Sequence, residues 1–495
     1  MRIIPQIDRN PRLVAAVQNA PGRIVLLLFF ALGLCLMADP FWLTLTVSAA
    51  VVAWAGRWRR QALALATLIG LAMHARWINW DFLENLAHRS GITDLHDLDL
   101  LLFGSFLVTT AAVALLFALI RRRQFAWLNR RPVFWLVTGF TSIYLLISIL
   151  APQGRMALVA WCWVATAIPC LWYYAYALKD AAEATPDGLI TQLGTLQPFW
   201  GGTFVPFAKG AAYLRKIEAK SPEALAVVQL KGLKLLYWSL LLQKLRRIFI
   251  MLVHDNPGMG SFGRCFSEFI GYDFNHLPSL HLPQVDELVL NLHGVTTATA
   301  WASMTANLIE TLLYCAAFGG PVIALCRLAG FHALRYTYKP LEAQTIASFW
   351  NRYDYYFKEL LVTFFFYPTF LRFFKKHREL RLAAATLAAA TFGNMLVHFL
   401  AYFENVVTLG LGVALVRFES FALYSILLGT GIALSQLREN RLPRHRALPP
   451  RWRRALNTLA VLLFFAILMV FDQGWQDTPL SSYFRFFALL LGLHV

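Results

Sequence analysis

Apolar runs near the length a helix needs to cross a bilayer, about 20 residues, recur along the whole of this 495-residue chain. They fall near 23–38, 41–56, 61–77, 100–120, 133–151, 156–177, 225–253, 294–330, 345–371, 382–404, 408–437, 455–472 and 481–494. With 58% apolar and only 15% charged residues, against about a quarter charged in soluble domains, a water-soluble globule would carry large sticky patches. In lipid the same side chains match their solvent. The expectation is an all-α polytopic membrane protein with about 11 to 13 transmembrane helices. The run 294–330 is long enough to hold two segments broken at Gly319-Gly320-Pro321, and 23–56 also reads as a re-entrant hairpin broken at Asp39-Pro40.

A net charge of +18 raises the question of nucleic acid, and the placement of the charges answers it. Basic residues sit in short runs between apolar segments: Arg57 to Arg60, Arg121 to Arg131, Lys375 to Arg381 and the seven arginines from Arg438 to Arg454. Acidic residues gather in the alternate loops, Asp81 to Asp99 and Asp472 to Asp477. This is the positive-inside pattern, with attraction to anionic lipid and no soluble basic domain to grip a duplex. It predicts that both termini are cytoplasmic. With no eukaryotic sorting signal in view, the expected location is a bacterial inner membrane. Arg23 and the run Ile24–Ala38 mimic a signal-peptide core, but Leu34 is too large for processing at Cys35 and a second run starts at Phe41, so an uncleaved first span is expected. The six cysteines show no CxxC or Cys/His spacing, and no metal site is expected. No repeat or inverted pair of interrupted helices is visible. One membrane domain follows: hairpins over 1–180, a core over 181–437 holding most of the unusual polar residues, and 438–495 with a basic cytoplasmic loop and the last spans.

Polar groups at membrane depth are costly and each needs a reason. His398 lies inside an apolar run between Val397 and Phe399, and Asn394 falls four residues earlier, on the same helical face. Two polar groups on one face of an apolar helix favour a lined cavity. A second constellation is Phe349-Trp350-Asn351-Arg352-Tyr353-Asp354, followed by Tyr355, Tyr356, Lys358 and Glu359. As one continuous helix it would pair Arg352 with Tyr356, Asp354 with Lys358 and Tyr355 with Glu359.

Together these motifs resemble the membrane-bound O-acyltransferase family, in which an aromatic Phe-Trp-x-x-Trp/Tyr-His/Asn motif precedes a histidine in an apolar helix. Here Phe349 to Asp354 stands for the first and His398, 44 residues after Asp354, for the second. The upstream stretch Thr195 to Gly202, Pro206 and the amphipathic Leu230–Leu242 extend the likeness over about residues 190–437. The resemblance implies a bundle enclosing a tunnel. It implies transfer of an acyl group from a thioester donor (acyl-CoA or acyl carrier protein) to an acceptor hydroxyl, with no bound cofactor. By the same resemblance His398 is the general base and Asp354 its partner. Trp350, Asn351, Arg352, Tyr353, Lys358 and Asn394 bind substrate or donor, and membrane lipid or a protein that delivers donor or acceptor are the expected partners. Asp354 stands where many members have His or Asn. Val397-His398-Phe399 replaces the Trp-His-Gly context of bacterial sugar-modifying members. Both departures point to a specialised branch.

Two other readings compete: a transporter or flippase for a lipid-linked or polymeric substrate, and a scaffold of the same fold without chemistry. Gly258 to Gly263 satisfies GxGxxG but lacks a flanking strand and helix. His254, His276, His281 and His293 have no ligand spacing and read as loop residues. Glu310, inside an apolar run, is the first suspect should a proton path exist.

Overall fold

The computed structural model describes residues 5–36, 41–72, 80–89, 91–92, 98–123, 125–150, 154–183, 188–200, 205–207, 209–254, 279–441, 450–472 and 478–493. His276, the 258–263 glycines and the break expected at Asp39-Pro40 lie outside these residues. Among the described residues the chain is helical, with one isolated bridge between Glu218 and Phe331. Among the described residues, seven helices are long and apolar enough to cross a membrane, or up to nine if two bent pairs each count as one span.

The centre is an antiparallel pair, Pro222–Val253 and Thr297–Leu328, each of 32 residues. Gln229 Nε2 donates to Leu328 O at 2.9 Å near one end, and Arg246 meets Glu310 at 2.6 Å near the other. The expected break at Gly319-Gly320-Pro321 does not occur, and the helix runs through Pro321. The two glycines serve close approach instead. A Cβ at Gly320 would lie 1.6 Å from Ser239 Oγ, and one at Gly319 would lie 2.4 Å from Tyr336 Cβ. Proline is tolerated inside a membrane helix when neighbouring groups cover the freed backbone.

Around the pair, Ala20–Cys35 lies alongside Pro222–Val253, with Tyr237 donating to Phe29 O at 3.1 Å and Lys244 to Leu36 O at 3.5 Å. Asp8, in the segment before it, is paired with Lys234. On the periphery, Pro132–Leu150 has none of its apolar window buried in the protein, against half for each central helix. Ile149 is 79% exposed and Val108 70%, and such a surface matches hydrocarbon rather than water.

The last helix, Leu480–Leu490, corrects a sequence expectation. Its 11 residues span only about 16 Å at 1.5 Å per residue, so it is not the span expected over 481–494. It lies instead across one end of the bundle. Leu480 N donates to Glu419 Oε1 at 2.9 Å, Phe487 stacks on Phe471, and Leu489 O and Leu490 O accept from Thr297 and Trp301. Glu419 begins the helix Glu419–Arg441, Phe471 follows the end of Arg451–Met469, and Thr297 begins the central helix. The far ends of these same helices are Arg441, Arg451 and Leu328. The bundle therefore has an arginine-rich end and an opposite end carrying the final helix.

Candidate functional site

The site is built on two antiparallel segments that neither continue nor end as plain α-helices. The first starts at Ile346–Tyr353 and breaks at Asp354, whose backbone is extended (φ −136°, ψ 92°). It resumes as Tyr355–Leu361, widens into a π segment over Val362–Phe366 and ends with Tyr367–Arg372. Pro368 sits at the start of that last turn and has no N–H to give, which a widened turn accommodates. The second runs Arg378–Leu387, a π segment Ala388–Gly393, then Asn394–Ala401. The two π segments meet at Gly393, where a Cβ would stand 2.7 Å from Phe365 Cδ2 and 3.1 Å from Leu361 Cδ2. π turns inside α-helices occur often at functional sites.

His398 is half-buried on the second segment, with its ring 4.2 Å from that of Phe421 and 5.3 Å, edge to face, from that of Phe357. Asn394, one turn earlier, is fully buried. Its Nδ2 donates to Ser425 Oγ at 3.2 Å, and its Oδ1 finds no partner among the described residues. Glu379, near the other end of this helix, pairs with Arg441 at 2.6 Å. The 19 positions from Glu379 to His398 cover about 28 Å at 1.5 Å per residue. His398 thus lies well away from the arginine-rich end and close to the start of Glu419–Arg441.

Asp354 is buried at 8% exposure. Its Oδ1 accepts from the Phe357 amide at 2.9 Å, capping the resumed helix, and its Oδ2 accepts from the Tyr336 hydroxyl. The carboxylate therefore sets the turn that carries Phe357, and Phe357 touches the imidazole. Because the helix breaks here, the expected Arg352–Tyr356 and Asp354–Lys358 pairs give way to other partners. Arg352 reaches Lys339 O at 3.4 Å and Glu342 at 3.7 Å, and Lys358 pairs with Glu359 at 2.7 Å. Tyr355 and Glu359 do share a face, bridged by Lys209 at 3.2 and 2.7 Å. Burial draws the Lys209 ammonium below the ordinary lysine range, and Glu359 opposes that shift.

The predicted residues thus divide. Trp350, Tyr353, Asp354 and His398 are linked through Phe357, and Asn394 lies one turn from His398 against Ser425. Trp350 is 7% exposed and lies 6.3 and 6.0 Å from the rings of Tyr353 and Phe357. Asn351 is exposed, half-buried Arg352 faces the 339–342 turn, and Lys358 joins the Lys209 cluster.

Sequence reasoning missed the segment that holds this turn in place. Residues 331–339 fold back along the central helix. Arg327 Nη2 donates to Ala333 O at 2.8 Å, Tyr336 lies against Gly319, and Thr337 Oγ1 donates to Tyr353 O at 2.7 Å and to Cys315 O at 3.2 Å. Cys315 Sγ donates to the Tyr353 hydroxyl at 2.9 Å, and Tyr355 N to Tyr336 O at 3.0 Å. The run Tyr336-Thr337-Tyr338 was the available signal, three hydrogen-bonding side chains in a short connection. No protein-family model matches the chain, and no curated protein matches it either.

Proposed function

We propose that this protein is a membrane-embedded O-acyltransferase, related to the membrane-bound O-acyltransferases, with His398 as its general base. The observation that carries the reading is an imidazole on a π-widened membrane helix, set against Phe357 of the aromatic motif and one turn from buried Asn394. Acyl transfer requires a hydroxyl oxygen to attack a thioester carbonyl as its proton leaves. A neutral imidazole accepts that proton. When the C–S bond breaks, the imidazolium returns the proton to the departing thiolate, so the base is regenerated.

Asp354 acts in this scheme through position. Its oxygens hold the Tyr336 hydroxyl and the Phe357 amide, fixing the aromatic wall beside His398. The amide of Asn394, with an acceptor oxygen unpartnered among the described residues, suits orientation of the acceptor hydroxyl. Taking the arginine-rich end as cytoplasmic, the register of His398 beside Phe421 favours an acceptor arriving from the opposite face and a thioester, on CoA or a carrier protein, from the cytoplasm. A bacterial inner membrane suits that arrangement.

The test uses purified full-length protein in nanodiscs, given radiolabelled acyl-CoA and membrane extract as the acceptor source. Wild type transfers label and His398→Ala loses transfer by about 10²- to 10⁴-fold, the usual worth of a general base, with its unfolding midpoint unchanged. Full transfer by a folded His398→Ala protein rejects the proposal.

A further inference from the structure

A second site lies at the end of the bundle that carries the final helix, apart from His398. There the short helix Val285–Leu290, the connection that follows it and one side of Leu480–Leu490 bound a cavity of about 570 Å³. That volume falls within the usual range of small-ligand sites, about 300–1,000 Å³. Both walls are fixed. Thr297 and Trp301 hold the carbonyls of Leu489 and Leu490, and Gln284 and Glu287 form a capping box at the start of Val285–Leu290.

The polar side chains of the lining are Asn291, His293, Ser482 and Arg485, and no carboxylate is among them. Arg485 is exposed, and its guanidinium makes no ion pair or hydrogen bond among the described residues. The acids of the adjoining helix are engaged locally. Asp286 Oδ1 accepts from the Glu287 amide at 3.0 Å, and Glu287 Oε2 accepts from the Gln284 amide at 3.0 Å. Asn291 Oδ1 accepts from the His293 amide at 3.0 Å, which leaves the Asn291 Nδ2 to donate. Gly294 turns the connection at φ +74°, and a Cβ there would meet nothing within 4 Å, so the space beside it is open.

The cavity is therefore rich in donors and poor in acceptors. A guanidinium offers five donors and no acceptor, in a planar fork that matches the oxygens of a phosphate in pairs. Its position is informative as well. Arg485 stands at the end opposite the arginine-rich one, where the positive-inside bias works against cations. Arg246, toward this same end, is held by Glu310, whereas Arg485 has no such partner among the described residues. Leu290, in the cavity wall, and Phe484, next to Arg485 in sequence, are each more than half exposed. A cation bordered by exposed apolar side chains is the pattern of a surface that meets lipid headgroups. We infer that this cavity binds a phosphate group presented at the face opposite the arginine-rich end. That chemistry has two sources, the headgroup of an acidic phospholipid, which the apolar border favours, and a soluble phosphate ester. The inference stands whether or not His398 is a catalytic base.

The experiment titrates full-length protein in uncharged detergent micelles with dioctanoyl-phosphatidylglycerol, with dioctanoylglycerol and with glycerol 3-phosphate, following the unfolding midpoint. Wild type is stabilised by the phospholipid and not by dioctanoylglycerol, which has the same tails without the phosphate. Arg485→Gln weakens that binding at least about tenfold, as expected when charge-assisted bonds are lost, while Arg122→Gln/Arg123→Gln, at the arginine-rich end, does not. Stabilisation by the phospholipid alone identifies a headgroup site, and equal stabilisation by glycerol 3-phosphate identifies a site for the soluble ester. Should Arg485→Gln unfold without ligand, His293→Ala on the other wall carries the comparison, with binding weakened at least about twofold for one neutral hydrogen bond. Equal binding by wild type and the Arg485 variant, equal stabilisation by dioctanoylglycerol, or no stabilisation by either phosphate-bearing ligand overturns the inference.

Discussion

The central pair Pro222–Val253/Thr297–Leu328 and the bulged pair 355–372/378–401 belong to the same bundle, yet one is built of regular helices and the other of interrupted ones. In the central pair the helices are regular: Arg246 meets Glu310 and Lys234 meets Asp8, while Lys244 and Arg327 donate to backbone carbonyls. Glu310, the first suspect for a proton path, is held by an arginine. In the bulged pair the helices are broken at Asp354 and widened twice; Lys358, Glu359 and Glu379 form ion pairs, but Asp354 caps a backbone amide and His398 sits among aromatic rings. Regularity lets every backbone group be satisfied within its own helix. Interrupted helices leave groups that side chains must satisfy, and those side chains are then held in place. The central pair reads as scaffold and the bulged pair as the working region.

The largest effect that would break this contrast is on activity. His398→Ala should lower acyl transfer by about 10²- to 10⁴-fold without moving the unfolding midpoint, whereas Arg246→Met/Glu310→Leu should leave transfer near wild type. A comparable loss of transfer in both proteins would erase the distinction. Next in size is the cost of splitting a partly buried pair. Glu310→Leu alone should destabilise by about 3–5 kcal/mol, because it strands Arg246, and adding Arg246→Met should recover most of that; chemical denaturation in detergent reads both.

Close approach in the scaffold comes third. Gly320→Val should cost about 1–3 kcal/mol through overpacking against Ser239, and Gly320→Val/Ser239→Gly should recover part of it. A Gly320→Val protein as stable as wild type would mean that the central helices are not in this register. The smallest effect sharpens the role of Asp354. Asp354→Ala should cost about 0.5–2 kcal/mol by removing a helix cap, while Asp354→Asn, also a good cap, should cost less than about 0.5 kcal/mol and keep most transfer activity. Stability kept but transfer lost in Asp354→Asn would show that the charge, not the cap, is what His398 needs.

Much of the fold was legible in the apolar runs. The spans at 98–123, 132–150, 222–253 and 419–441 follow hydrophobic length directly, since a helix long and greasy enough to cross lipid has few alternatives. Pattern misled where length and composition pull apart. The run at 481–494 looks like a span but forms a surface helix, because its partners Glu419, Thr297 and Trp301 all lie at one end of the bundle. Gly319-Gly320-Pro321 looks like a break but serves close approach, because Ser239 and Tyr336 fill the space a side chain would take. Of the site, His398, Asn394 and the aromatic motif were legible as polar groups in apolar surroundings. Tyr336, Thr337, Cys315 and Lys209 were not, since each acts across a sequence gap that no periodicity bridges.

By itself, then, the sequence determined that this chain lives in lipid as helices, and which polar side chains must be accounted for at membrane depth. Both follow from one-dimensional quantities, the length of apolar runs and the cost of a polar group in hydrocarbon. Tertiary structure alone decided that the helix breaks at Asp354, that two π turns meet at Gly393, and that Asp354 faces Tyr336 and the Phe357 amide. A helix yields its regular hydrogen bonds only when a neighbour supplies replacements, and which neighbour stands there is a property of the assembled bundle.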